Sequence, residues 1–239
     1  MKIPRYKDLL LFENDDYALL NKPPYYSTLD ERLGTRDNLL QITRAALPDA
    51  QFCHRLDKET SGIIAVAKHP EAYRQLSMQF ERREVEKTYH AVAQGVHEFR
   101  DTEVNRPLKT TSNGLARIAD REGKPAQTFF STLRTFRQFT VLRCKPVTGR
   151  LHQIRVHASY LKAPLVSDPQ YGGKMLYLSA IKRNFNLKKY EEEQPLMQRV
   201  ALHAAALKFR GLDGKPIEVS ADYPKDMRAL MRQLEIYNA

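Results

Sequence analysis

A chain of 239 residues is long enough for one large domain or two small ones, and either would bury a sizeable core. Its 42% apolar and 28% charged residues suit a soluble globular protein rather than a disordered or membrane one. No run approaches the roughly 18 apolar residues of a membrane span, and the opening MKIPRYKD lacks a signal peptide's apolar core, so a cytoplasmic location is expected; the net charge of +11 attracts polyanions without naming one.

Asp16 to Leu20 reads as a buried strand that runs into Asn21-Lys22-Pro23-Pro24, where the prolines remove donors and the chain should leave the sheet. Tyr25, Tyr26, Ser27 and Thr28 follow in a loop, either packed in a turn or offered to a nucleotide. Asn38 to Leu47 has a helical pattern stopped by Pro48. His54-Arg55-Leu56-Asp57-Lys58-Glu59-Thr60-Ser61-Gly62 then crowds charges directly before an apolar strand, Gly62 to Lys68. Such a turn is more commonly solvated than chemical, yet a carboxylate at the edge of a core strand can be held on one side and meet a substrate on the other.

Pro70 starts a helix with Tyr73, Leu76, Met78 and Phe80 on its apolar side, and Arg82, Arg83 and Lys87 crowd its end. Those cations complement the helix dipole and would equally suit a phosphate backbone. Thr88 to Gln94 is a third strand whose period of two puts Tyr89, Ala91 and Ala93 on one face, leaving room beside the tyrosine ring. Residues 96–126 read as loops or short strands, and Gln127 to Leu133 with Gln138 to Cys144 as a hairpin. A helix from about Leu151 to Leu161 carries an apolar stripe of Leu151, Ile154, Ala158 and Leu161 with Arg155 inside it. That arginine either snorkels to the surface or, if buried, needs an acidic partner.

Pro164 to Gly173 is a turn-rich link, and Lys174 to Lys189 reads as a surface helix or insertion. Leu202 to Phe209 pairs with Ile217 to Ala221 across a Gly-Leu-Asp-Gly turn, and the stretch from Pro224 is amphipathic through Met227, Leu230, Met231 and Leu234. Hairpin strands and separated helices together predict an α+β fold with a mixed, mainly antiparallel sheet. Residues 1–239 are expected to form a single domain.

Several chemistries lack their residues. Cys53 and Cys144 are far apart and expected to be reduced, and His152 and His157 miss the i, i+4 spacing of metal ligands on a helix, so no metal is expected. No nucleophile elbow surrounds Ser61, and no phosphate loop or dinucleotide fingerprint occurs, so no cofactor is expected. A carboxylate, a tyrosine in a roomy position and an arginine drawn into an apolar stripe remain.

HRLDKETSG at 54–62, KTYHAVAQG at 87–95, GKPAQT at 123–128, TGRLHQIRVH at 148–157 and LHA at 202–204, in that order, resemble the motifs of RluA-type RNA pseudouridine synthases. NKP at 21–23 and the Asp168, Tyr171, Gly172 group also match, so the resemblance spans roughly residues 15–222. It implies a pseudouridine synthase catalytic fold with a central RNA-binding cleft, and a stand-alone catalytic domain without an N-terminal S4 domain. Asp57 matches the family's catalytic aspartate, Tyr89 its active-site tyrosine, and Arg155 the arginine that pairs with the aspartate. Arg55 matches the arginine that displaces the target base, and Leu202 the apolar residue near the ring. Thr60, Arg150, His152 and Gln153 fall on the substrate-binding side as residues that support the loop and helix.

The implied activity is isomerisation of uridine to pseudouridine in ribosomal (large-subunit) or transfer RNA, by a monomer with no cofactor, no obligate protein partner and no membrane contact. A module of the same fold that binds or folds RNA without turnover is the rival reading, and a base-excising glycosylase a third. The sequence departs from its relatives at Pro24-Tyr25, where a glycine commonly stands in place of the tyrosine.

Overall fold

The computed structural model describes residues 3–29, 38–187 and 191–239. In chain order these contain α1 (Tyr6–Leu9), β1 (Leu10–Glu13), β2 (Tyr17–Lys22), α2 (Leu39–Arg44), β3 (Gln51–Phe52), β4 (Ser61–Ala67), α3 (Pro70–Glu81) and β5 (Glu86–Gln94). Next come β6 (Thr102–Asn105), β7 (Leu108–Thr110), β8 (Ala116–Ile118), β9 (Gln127–Thr135) and β10 (Phe139–Pro146). The chain ends with α4 (Gln153–Tyr160), β11 (Leu202–Arg210), β12 (Pro216–Ser220) and α5 (Lys225–Tyr237). Strand pairing is mainly antiparallel, giving the mixed architecture that the segment pattern predicts. Contacts group the chain into two units, Met1–Thr88 with His203–Asp222, and Tyr89–Leu202 with Tyr223–Ala239.

The first unit is built on β4, every residue of which is buried. β2 runs antiparallel along one edge of it. The other edge is shared: β3 takes the end near Ala67, and β11 takes the beginning in parallel, with His203 opposite Ser61 and Ala204 opposite Gly62. Alternate residues Ile63, Ala65 and Ala67 join Tyr17, Leu19, Ala72, Leu76 and Phe209 in one apolar cluster, which α3 covers. Helix α3 starts where the sequence predicts, capped by His69 ahead of Pro70. Its buried face is Ala72, Leu76 and Gln79, so the apolar stripe is rotated off Met78.

Strand β2 continues two residues past the expected stop, because Asn21 and Lys22 keep their donors and the first missing donor comes at Pro23. Lys22 is fully buried, and its Nζ donates to the carbonyls of Pro23 (3.1 Å), Tyr26 (2.8 Å) and Lys58 (3.0 Å). A charged ammonium inside a carbonyl cage exchanges its water for fixed dipoles.

In the second unit, β5, β10, β9 and β6 pair in that order, all antiparallel. The period of two sorts their faces. Ala91, Ala93, Phe130, Leu142 and Cys144 pack with Ile154 and Ala158 of α4. Val92, Phe139 and Val141 turn the other way, onto Met227, Leu230 and Leu234 of α5. α5 is further tied down by the fully buried Arg199, whose Nε and Nη2 reach Asp226 at 2.7 and 3.1 Å. β7 and β8 form a small separate hairpin packed on Val156 of α4.

Of the two readings of Lys174 to Lys189, surface helix or insertion, the helix is not found among the described residues. Instead of a surface helix over Lys174 to Lys189, the described residues to 187 contain only a 3-10 turn, Leu178–Ala180. Leu176 and Ile181 are drawn into the α5 cluster, and Asn184 has a left-handed backbone (φ 54°), both incompatible with a regular exposed helix. Lys188 and Lys189 lie outside the described residues.

Candidate active site

The first unit holds the loop from His54 to Thr60. Its closure depends on side chains binding backbone. Thr28 Oγ1 donates to the Leu56 carbonyl (3.0 Å) and accepts the Leu56 amide (3.2 Å), so one hydroxyl fixes both sides of that residue. Lys58 O accepts from Tyr25 N (2.8 Å) as well as from Lys22. Tyr25 is left-handed (φ 70°), a backbone state that costs a tyrosine about 1–2 kcal/mol and that a glycine would adopt freely. The Thr60 amide closes a turn on Asp57 O (3.0 Å). Arg55 is exposed, Asp57 half-buried, and Thr60 buried with a hydroxyl that has no partner among the described residues.

His54 faces inward. Its Nε2 accepts the Ala65 amide (3.0 Å) and its ring lies 4.6 Å from that of Phe80. Burial first, and repulsion from Lys87 second, push its pKa down to about 3, so the imidazole is neutral and structural. Burial also lowers the Lys87 ammonium to about 8. At the end of the loop, Ser61 Oγ meets His203 Nδ1 (3.0 Å), and His203 Nε2 donates to Ala221 O (3.2 Å). Gly62 (φ +113°) passes so close to β11 that a Cβ there would lie 2.1 Å from Ala204 O. The TSG and LHA motifs thus form one strand contact.

The second unit holds Tyr89, Arg155 and Leu202. Tyr89, opposite Cys144 on β5, packs on the cluster that contains Leu202 and Ile154. Arg155 is only 5% exposed, more deeply buried than its place in the stripe suggested. Its acidic partner is Asp168, fully buried, reached by Nε (2.8 Å) and Nη2 (2.6 Å). Nη2 also donates to Gln170 Oε1 (2.7 Å), and the guanidinium lies 4.8 Å from the Tyr171 ring centre. A bidentate pair with a further hydrogen bond to Gln170 is the geometry that makes buried charge tolerable.

Around this pair the motif residues interlock. Gln153 Oε1 accepts from Thr148 Oγ1 (2.7 Å) and Arg150 N (3.0 Å), while its Nε2 donates to Gln127 O and Thr128 Oγ1 (both 2.9 Å). Thr128 Oγ1 continues to His157 Nδ1 (2.9 Å), whose Nε2 donates to Arg106 O (3.0 Å). Burial lowers the His157 pKa, keeping it neutral. His152, left-handed at φ 52°, meets the Tyr171 hydroxyl through Nδ1 (2.8 Å), and that hydroxyl also accepts the Ala116 amide (2.9 Å). Arg150 Nε donates to Pro125 O (3.0 Å). GKPAQT and TGRLHQIRVH are therefore two sides of one polar cradle beneath Arg155. Asp168, Thr128 and His157 are its members that sequence reasoning left without a role, although the quoted motifs contained all three.

The sequence profile of the family described as RNA pseudouridylate synthase matches residues 16–160. The chain belongs to the RNA pseudouridylate synthase family. It is 32% identical over 238 residues to the ribosomal large subunit pseudouridine synthase C of Vibrio vulnificus, covering 98% of this chain and 71% of that one. The same-named protein of Escherichia coli K12 is 33% identical over 240 residues, covering 98% and 72%. Human RNA pseudouridylate synthase domain containing 1 superposes with a TM-score of 0.69 at 25% identity, over 94% of this chain and 87% of that one. As a member of this family the chain is an RNA-directed isomerase that converts uridine to pseudouridine. Among the described residues, no helix is long and apolar enough to cross a membrane.

Proposed function

We propose that this pseudouridine synthase acts on large-subunit ribosomal RNA, with Asp57 as its nucleophile. The sequence likeness to enzymes named for that RNA supports the substrate, and the exposed edge of a loop pinned by Thr28 and Lys22 supports the role of Asp57. The reaction breaks the bond from the sugar to N1, turns the base and joins its C5 to the same sugar carbon. The C5 proton leaves and N1 gains one, so no atom is added or lost and no electron changes hands.

Asp57 captures the electron-poor sugar or adds to the base. Arg155 is the positioning residue for this carboxylate. Tyr89 stacks on the detached base and serves as general base for the C5 proton. Arg55, exposed on the loop, fills the gap left when the target nucleotide is flipped out, a step that costs a few kcal/mol of unstacking. Leu202 supplies apolar packing beside the tyrosine. Thr60, Arg150, His152 and Gln153 keep the loop and helix in the form that receives RNA. The family match runs through both contact units, which supports reading residues 1–239 as one catalytic domain. It works as a monomer in the cytoplasm.

Release of tritium from C5-labelled uridine in transcribed large-subunit rRNA tests this reading. Asp57→Asn should keep RNA affinity and lower turnover by on the order of 10⁴-fold or more. Full activity in that variant would remove Asp57 from the chemistry, and an inactive wild-type protein that still binds RNA would favour a non-catalytic module. Mapping pseudouridines in total RNA with and without the gene identifies the position.

A further inference from the structure

Apart from the residues given catalytic roles above, the second unit holds an open basin of about 410 Å³ between the β7–β8 hairpin and the turn that precedes α4. Leu108, Ala116 and Leu151 give it an apolar floor, and Lys109, Lys124 and Arg150 stand around it against a single carboxylate, Glu122. Glu122 is engaged by Lys109, which with Arg117 keeps it ionised. The other two cations are available. Lys124 is exposed and has no acidic partner among the described residues, and Arg150 uses only Nε, on Pro125 O. Such a volume falls within the range of small-ligand sites.

We propose that this basin seats one unpaired nucleotide of the substrate RNA other than the target uridine, its base on the Leu108–Ala116–Leu151 floor and its phosphate between Lys124 and the Nη atoms of Arg150. The inference rests on the family reading that the substrate is RNA. A planar base needs an apolar surface, and a phosphate needs a forked guanidinium with a nearby point charge; both are present here within one unit. An acidic peptide would use the cations and leave the floor idle.

Gly149 provides the test. It lines the basin, its φ lies outside the left-handed region, and an added Cβ would meet no atom within 4 Å, so a large side chain has room at the basin's edge without displacing the fold. Binding of a fluorescein-labelled oligouridylate is measured for the wild-type chain, Gly149→Phe, Lys124→Glu and, as a control on an exposed lysine of the other unit, Lys215→Glu. Gly149→Phe and Lys124→Glu should each weaken binding at least about tenfold, and Lys124→Gln should reduce the salt slope by about one. Lys215→Glu should stay within about twofold.

Wild-type affinity in both basin variants, or no oligouridylate binding by the wild-type chain, would overturn the proposal. An equal loss of oligoglutamate binding in Gly149→Phe would overturn its nucleotide specificity. Should Gly149→Phe fail to fold, Lys124→Glu decides alone. Binding is read apart from turnover. A chain that loses RNA on Gly149→Phe yet never forms pseudouridine keeps the basin and refutes the rRNA isomerase reading, and normal turnover with unaffected binding does the reverse.

Discussion

Asp168→Asn isolates the electrostatic part of the buried pair, because it preserves shape and removes one charge. Arg155 and Asp168 are 5% and 0% exposed at the side chain, and two short bonds join them. Removing one partner of such a pair costs about 3–5 kcal/mol, chiefly because a guanidinium is left short of its carboxylate. Gln170 and the Tyr171 ring still serve Arg155, which places the loss at the lower end, about 3 kcal/mol. For a chain of this length that lowers Tm by roughly 6–12 °C. The assay is urea unfolding of Asp168→Asn beside the double variant Arg155→Met/Asp168→Leu. The double variant buries no charge and should be more stable than Asp168→Asn, though without isomerase activity. If Asp168→Asn unfolds within 1 kcal/mol of wild type, the pair is not the buried electrostatic anchor described above.

Two further outcomes follow from the loop. Gly62→Ala places a Cβ 2.1 Å from Ala204 O at a φ that L residues rarely adopt, so β4 and β11 must separate; stability should fall by on the order of 4 kcal/mol or more, and soluble protein with wild-type unfolding would refute the close approach. His54 has a folded pKa of about 3 against an ordinary 6.5, so the unfolded chain takes up its proton first and acid favours unfolding between those values. His54→Gln should therefore be destabilised at pH 8, and its deficit relative to wild type should shrink by up to about 2 kcal/mol between pH 7 and pH 5. A deficit that does not change with pH, read by urea melts, would show that His54 is not held neutral by burial.

What the sequence displayed was mostly what apolar spacing can display. The β9–β10 hairpin, the face shared by Ala91 and Ala93, and α5 all follow from periods of two and 3.6 in residues that bury carbon. Polar packing has no such period. Nothing in the spacing of Lys22, Tyr26 and Lys58 announces an ammonium caged by carbonyls, and a lysine followed by two prolines reads as a strand leaving the sheet. Helical spacing at Leu178, Ile181 and Phe185 misled for the opposite reason: the spacing was present, but tertiary contacts pulled Ile181 into the α5 cluster. For Arg155, burial physics demanded a carboxylate without saying which. Asp168 lies 13 residues on, beyond any local pattern.

The caged lysine also acts as a register check. Slipping β2 by one residue against β4 would turn Lys22 to the opposite face of the sheet and withdraw its ammonium from Pro23, Tyr26 and Lys58. The three carbonyls would then be left with no cation, and the segment bearing Asp57 would lose one of its anchors. A misregistered chain therefore fails to assemble the loop at all, so mispairing yields a protein without a site rather than one with a misaimed carboxylate.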